Sequence, residues 1–321
     1  MQHEILIANL TNPTLLFFVL GAFASLVKSD LEIPPHTIKF ISLYLLFSIG
    51  FRGGQELAHS GFTGEVCRGL IFGILIASVI PTILFFTLKR VFSIADAGAI
   101  ASTYGSVSAV TFVAANSFLD LQGMHAGGHM VAVMAAMEAP AIIVGVSLIH
   151  WYDRDSKVSF GKVIHHSLTN GSILMVVGSL VIGIVADSHQ AEGIKPFAND
   201  IFKGFLAIFL LEMGMLTVKR IKTFLNYGPW AIGLAVALPL LNGTMVAFCS
   251  QWVTSDPANR FLFAVLAASA SYIAVPATLR LAVPKADPGL YIPMALGVTF
   301  PVNITAGMPL FYSIVTATPP V

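Results

Sequence analysis

The sequence predicts an all-α integral membrane protein: ten transmembrane helices forming two inverted five-helix repeats, with the fourth and ninth helices broken. Three observations lead there. Of 321 residues, 56% are hydrophobic and only 10% are charged, more apolar side chain than a soluble core can hide. Apolar windows close to the length that spans a bilayer recur ten times, at 13–28, 36–51, 67–87, 95–118, 130–150, 170–187, 198–217, 229–251, 260–282 and 289–314. The fourth and ninth windows are interrupted by polar stretches, "YGSVSAVT" from Tyr104 and "ASASYIAVPATLR" from Ala268.

An even number of spans puts both termini on one side, and Lys and Arg decide which. Twelve of the 17 basic residues lie near connections after odd-numbered spans, against Arg52, Arg68, Lys195, Lys203 and Arg260 opposite. Both termini are therefore expected outside a cell inner (plasma) membrane, in a multi-pass protein. The start, "MQHEIL", has an acidic residue where a signal peptide needs positive charge, so the first span is expected to be retained. Residues 1–150 form the first repeat (spans 1–5), 151–166 a cytoplasmic linker and 167–321 the second repeat (spans 6–10). With a net charge of +1 and scattered basic residues, no nucleic-acid interface is expected, and membrane lipid is the partner that composition implies. Cys67 and Cys249 are read as small apolar side chains without a disulfide or metal role.

The repeat rests on ordered landmarks. "LTNPTLLFFVLG" from Leu10 resembles "LTNGSILMVVGS" from Leu168; "LFSIGFRGG" from Leu46 lies on "LLEMGMLTV" from Leu210, pairing Gly50 with Gly214; and the two polar breaks correspond. Each half has an odd number of spans, so the second copy is upside down relative to the first, as in many secondary transporters.

Backbone groups in hydrocarbon must be paired, so a span breaks only where it faces protein or water. Pro276 lacks an amide hydrogen and disfavours helical geometry at Val275, which places the second break near Ser271 to Pro276. In the first break Gly105 permits unusual dihedrals, while Ser106, Ser108 and Thr111 supply hydroxyls. Two opposed breaks would aim half-helix N-termini at one cavity, a setting for an anion, with hydroxyls and released carbonyls for sodium. Each serine could equally bond its own or a neighbouring helix. Glu138, in "AAMEAPAII", is costly deep in a span and reads as a cation ligand or proton carrier, or else as a protonated structural acid. Asn303, in "FPVNITAG", is its uncharged counterpart in the second half. Asn116 and Asn242 are expected to bond between helices, and Glu212 to serve as a gate residue or an ion pair. The two histidines of "HAGGH", His125 and His129, are separated by glycines that favour a surface loop over a metal site. The Asn-x-Ser/Thr matches at Asn170, Asn242 and Asn303 lie in or beside spans and are not expected to be glycosylated. No phosphate-binding glycine loop, HExxH or Ser-His-Asp arrangement points to an enzyme.

At these residues the chain resembles the SbtA family of sodium-dependent bicarbonate transporters. The resemblance preserves order over nearly the whole length and is strongest in "LLFSIGFRGG", "GSVSAVTFVAA", "MEAPAIIV" and "AASASYIAVPATLRLAVPKADPGLYI". It implies a homotrimer of ten-span subunits with a core part and a gate part, bicarbonate near the helix ends, and sodium as coupling ion with no other cofactor. Carried onto this chain, it implies Gly105, Ser106, Ser108, Thr111, Ser269, Ser271 and Tyr272 at the substrate, and Glu138, Ser108, Ser271 and Asn303 at the cation. The chain departs from the family where an aspartate gives way to Tyr272, where serines give way to Val110, Ala270 and Ala274, and where Glu138 stands for the usual aspartate. A shortened linker speaks against the nitrogen-regulator-like partner of cyanobacterial members. The expectation is therefore a secondary transporter of a small anion, with bicarbonate and sodium first. A proton-coupled carrier of another small anion such as a carboxylate, or a non-transporting sensor or scaffold, is the alternative.

Overall fold

A computed structural model describes residues 13–153, 161, 163, 165 and 169–318. Leu10 to Asn12, much of the linker with Arg154, Lys157 and Lys162, Leu168 and residues 319–321 lie outside the described residues. Within them the chain is helical, with no strand. The helices are α1 (Pro13–Leu26), α2 (Pro35–Ser60), α3 (Gly64–Leu88), α4 (Ile94–Gly105), α5 (Ala109–Leu121), α6 (His129–Tyr152) and α7 (Gly171–Val185). There follow α8 (Ser188–Glu192), α9 (Phe202–Phe224), α10 (Pro229–Cys249), α11 (Pro257–Ala268), α12 (Ala274–Ala282) and a last helix, α13 (Pro288–Ala317).

Among the described residues, six helical stretches are long and apolar enough to cross a membrane: Gly64–Leu88, Ile94–Leu121, His129–Tyr152, Pro196–Ile221, Pro229–Trp252 and Pro288–Ala317. Leu15–Leu26, Gly171–Val185 and Pro257–Ala268 are shorter apolar helices. The protein is thus an all-α membrane protein.

Local chemistry sets the helix starts. Ser93 caps α4 by accepting from the Asp96 amide, Asn170 caps α7 through Ser172, and Asp256 and Asp287 cap helices whose first residue is proline. Asp287 also ties three segments: its amide donates to Asp96 Oδ1 (2.8 Å) and its carboxylate accepts from Tyr227 (2.6 Å). That hydrogen bond pushes the Tyr227 phenol up to about 12.

The fourth window divides into α4 and α5 around Ser106–Ser108, as expected. The ninth breaks earlier than the proline suggested, at Ser269–Ile273, between α11 and α12. Pro276 is instead in the first turn of α12, where the missing N–H has no intrahelical acceptor to lose. In α13, Pro293, Pro301 and Pro309 each remove a donor, and the helix widens into π turns at Met294–Thr299 and Asn303–Gly307.

Two close seams join the halves. Helix α1 lies along α9, and α2 along α7. Gly214 meets the backbone of Phe18 and Ala22 in the first seam; Gly50 meets that of Val176 and Leu180 in the second, so a Cβ at either would overlap main chain. The remaining helices pack as α3 with α4 and α6, and α10 with α11 and α13. Arg260, 1% exposed, secures the last group. Its guanidinium donates to Val315 O, to Thr318 O and Oγ1, and to Ala247 O, tying the ends of α10 and α13.

Gly214→Val is expected to destabilise the protein by about 1–3 kcal/mol, the usual cost of overpacking. Gly178→Val, with open space around an added Cβ, should cost far less. Thermal unfolding of the two purified variants in one detergent checks this; equal midpoints would show that the α1–α9 seam is loose.

Candidate functional site

The two breaks are tied to each other. The Ser271 amide donates to Thr103 O, in the last turn of α4, at 2.8 Å. The Ser108 amide donates to Ser269 Oγ at 3.0 Å, and that hydroxyl donates to Leu266 O at 2.8 Å. Each break thereby pairs backbone that the other leaves open. Serines then start the outgoing half-helices: Ser108 Oγ accepts from the Thr111 amide (3.2 Å) at the head of α5, and Ser271 Oγ from the Val275 amide (3.4 Å) at the head of α12.

Both heads open on one cavity. Val107–Val110 and Ser271–Ala274 line it, together with Met134 and Glu138 of α6, Ser42 of α2 and Ser172 of α7. The free space is about 30 Å³, above the roughly 10–15 Å³ that one water needs. Neither helix head has an acidic residue in its first turn, so each presents uncompensated partial positive charge, about half an elementary charge by the usual account. Glu138 is the single carboxyl that the described residues place on the wall. The chamber can thus receive a small anion at its helix heads, with one carboxyl beside it.

Residues 13–316 match the Na+-dependent bicarbonate transporter superfamily. The chain belongs to that superfamily. No curated protein matches it. Membership makes it one of a family of membrane transporters and agrees with the resemblance in its polar breaks.

In this transporter-family chain, Ser108, Ser271, Tyr272 and Glu138 come together on the cavity wall. The Tyr272 hydroxyl is buried beside Ser108 without a protein hydrogen bond of standard geometry. The other sequence-derived candidates stand behind the wall. Gly105 packs on the Pro81 ring, which a Cβ would strike. Ser106 Oγ faces the Glu138 carbonyl at 3.5 Å, Thr111 gives its amide to the Ser108 cap, and Ser269 forms the cross-tie. Asn303, 1% exposed, donates to Ala268 O at the end of α11 (2.8 Å), and its Oδ1 is buried without a partner among the described residues. Thr103 Oγ1, near the crossing, is likewise buried and unpartnered. Ser48 Oγ, His129 Nε2 and Asn199 Oδ1, away from the crossing, are in the same state.

Outside the cavity, Asn116 bonds Phe112 O of its own helix rather than a neighbouring one, and Asn242 Nδ2 is buried without a partner. Glu212 is half-buried on α9 and forms no ion pair among the described residues. His125 lies in an exposed loop, 3.4 Å from Asp120. His129, expected in the same loop, is instead buried as the first residue of α6. Among the described residues no group of three metal-ligating side chains forms, and both cysteines are free. Ser42, Ser172 and Thr103 escaped the sequence reading. The first two are on unbroken helices, where a lone serine carries no signal; Thr103 lies one residue before the polar stretch, which was read from Tyr104 on.

Ser269→Ala leaves the Ser108 amide buried without its acceptor, and should cost about 1–3 kcal/mol. Ser313→Ala, which removes a hydroxyl from an exposed helix face, should cost less than about 0.5 kcal/mol. Parallel thermal unfolding curves test the difference, and a Ser269→Ala midpoint equal to that of the wild type would remove the cross-tie as a structural element.

Proposed function

We propose that this chain is a secondary active transporter that carries bicarbonate together with sodium by alternating access. The observation that carries the reading is the pair of serine-started helix heads, from corresponding places in the two halves, that open on one small chamber with one carboxyl. First-turn amides and the hydroxyls of Ser108, Ser271 and Tyr272 offer donors to the oxygens of a monovalent anion. Sodium prefers oxygen ligands, and the helix C-termini on the far side of the crossing carry the complementary negative partial charge. There the unpartnered Asn303 Oδ1 and Thr103 Oγ1, with Glu138 and the serine hydroxyls nearer the chamber, are the oxygens on offer. Gly105, Ser106, Thr111 and Ser269 shape the crossing.

Ten transmembrane units in two inverted five-helix repeats are part of the proposal. In support, each expected window falls on a helix or a pair of half-helices. The repeat-related Gly50 and Gly214 occupy equivalent seams, each against a helix of the opposite half. The group α3–α6 with α10–α13 would form the moving core part, and α1, α2, α7 and α9 the gate part. Coupling to protons is the second reading. It is favoured by Glu138 being the cavity's one carboxyl, with Tyr272 where the family has an aspartate.

Labelled-bicarbonate uptake into proteoliposomes tests both. An inward sodium gradient should drive uptake, and a choline gradient should not. Ser108→Ala or Ser271→Ala should raise the half-saturating bicarbonate concentration about 10-fold, the worth of one hydrogen bond to a charged group, and Glu138→Gln should abolish sodium drive. Uptake driven by a pH gradient alone would select the proton reading, and full sodium-driven uptake by Glu138→Gln would exclude Glu138 from coupling.

A further inference from the structure

A wide mouth adjoins the chamber, and the two share Ser42, Ser172, Tyr272 and Ile273. Its volume is about 860 Å³, against about 30 Å³ inside. Lys39 of α2, Arg220 of α9 and Arg280 of α12 line it, and among the described residues no carboxylate does. All three cations are exposed, and none forms an ion pair among the described residues. The heads of α2 and α7 meet the same rim at Pro35 and Gly171, without an acidic residue in either first turn, and add their partial positive charge.

This is far more charge and space than one small monovalent anion can use. Cavities of some 300–1,000 Å³ receive ligands with ten or more heavy atoms. Guanidinium groups grip phosphoryl oxygens with paired hydrogen bonds. Between the cations the wall is apolar, with Met175, Phe209, Met213, Leu216 and Ile292, so the ligand needs an apolar or aromatic body as well as its charges. We propose that the mouth is a second anion site, distinct from the chamber, that binds a phosphate ester with at least two negative charges and an apolar body through Lys39, Arg220 and Arg280. A ligand seated there covers the neck at Tyr272 and Ile273 and obstructs exchange with the chamber. That obstruction rests on the transport reading given above, whereas the binding itself does not. A free nucleotide and the headgroup of an anionic lipid carry the same chemistry.

Direct binding separates the two sources and needs no flux. Purified, delipidated full-length protein in neutral detergent is titrated with ADP by calorimetry and by thermal stabilisation. The same protein is also melted in nanodiscs of phosphatidylcholine with and without cardiolipin, whose two phosphodiesters carry two negative charges. For a free phosphate ester, ADP should bind, weaken roughly 10-fold as salt rises from about 50 to about 300 mM, and lose at least about 10-fold in affinity in a folded Lys39→Gln/Arg220→Gln/Arg280→Gln variant. For a lipid source, ADP should not bind, and cardiolipin should stabilise the wild type but not the variant. The proposal is overturned if neither probe separates wild type from variant. Because binding is read without transport, a failed uptake assay leaves this result intact, and failed binding leaves the transport reading intact.

Discussion

Everything at the centre of this molecule depends on how interrupted backbone is paired where water is scarce. A broken helix exposes amides and carbonyls, and in hydrocarbon each unpaired group costs several kcal/mol. The protein meets this by crossing its two breaks, so that Ser271 N finds Thr103 O and Ser108 N finds Ser269 Oγ. Neither break is stable alone, because each supplies what the other lacks. The crossing also fixes direction: once the ends are tied, the outgoing half-helices α5 and α12 must present their heads to a common space. The chamber is a by-product of satisfying hydrogen bonds, and its polarity follows from helix direction rather than from any basic side chain on its wall.

That separation of labour has an electrostatic logic. Inside, the positive character is partial and immobile, carried by amides in a chamber that could not tolerate a bare lysine. At the mouth the positive charge is full, on long flexible side chains in contact with water. Field strength inside comes from low dielectric and short distance; at the mouth it comes from charge number and is open to screening.

Much of this was legible in the sequence, and for identifiable reasons. Window length revealed the helices, since bilayer thickness leaves little freedom, and clusters such as "YGSVSAVT" revealed the first break because polar residues inside a span must have a purpose. The second break was displaced because Pro276 was taken as its cause, whereas it begins with Ser269, whose hydroxyl answers a distant amide. Of the residues carried over from the family, those on the cavity wall and those behind it look alike in one dimension. Ser108 and Ser106 differ only in which way the turn points them, and turn direction is set by a partner about 160 residues away. Asn116 turned back on its own helix for the opposite reason: the nearest carbonyl was one turn behind it.

The glycine seams between α1 and α9 and between α2 and α7 bear on how such a protein can move. Where main chain rests on main chain there are no rotamers to exchange, so the contact has one good geometry and no neighbouring second one. Side-chain interfaces can click between alternative packings; a seam of this kind can only hold or part. On the transport reading proposed above, the four helices it joins would move as a single panel, and the freedom for a cycle would lie along the panel's outer edges.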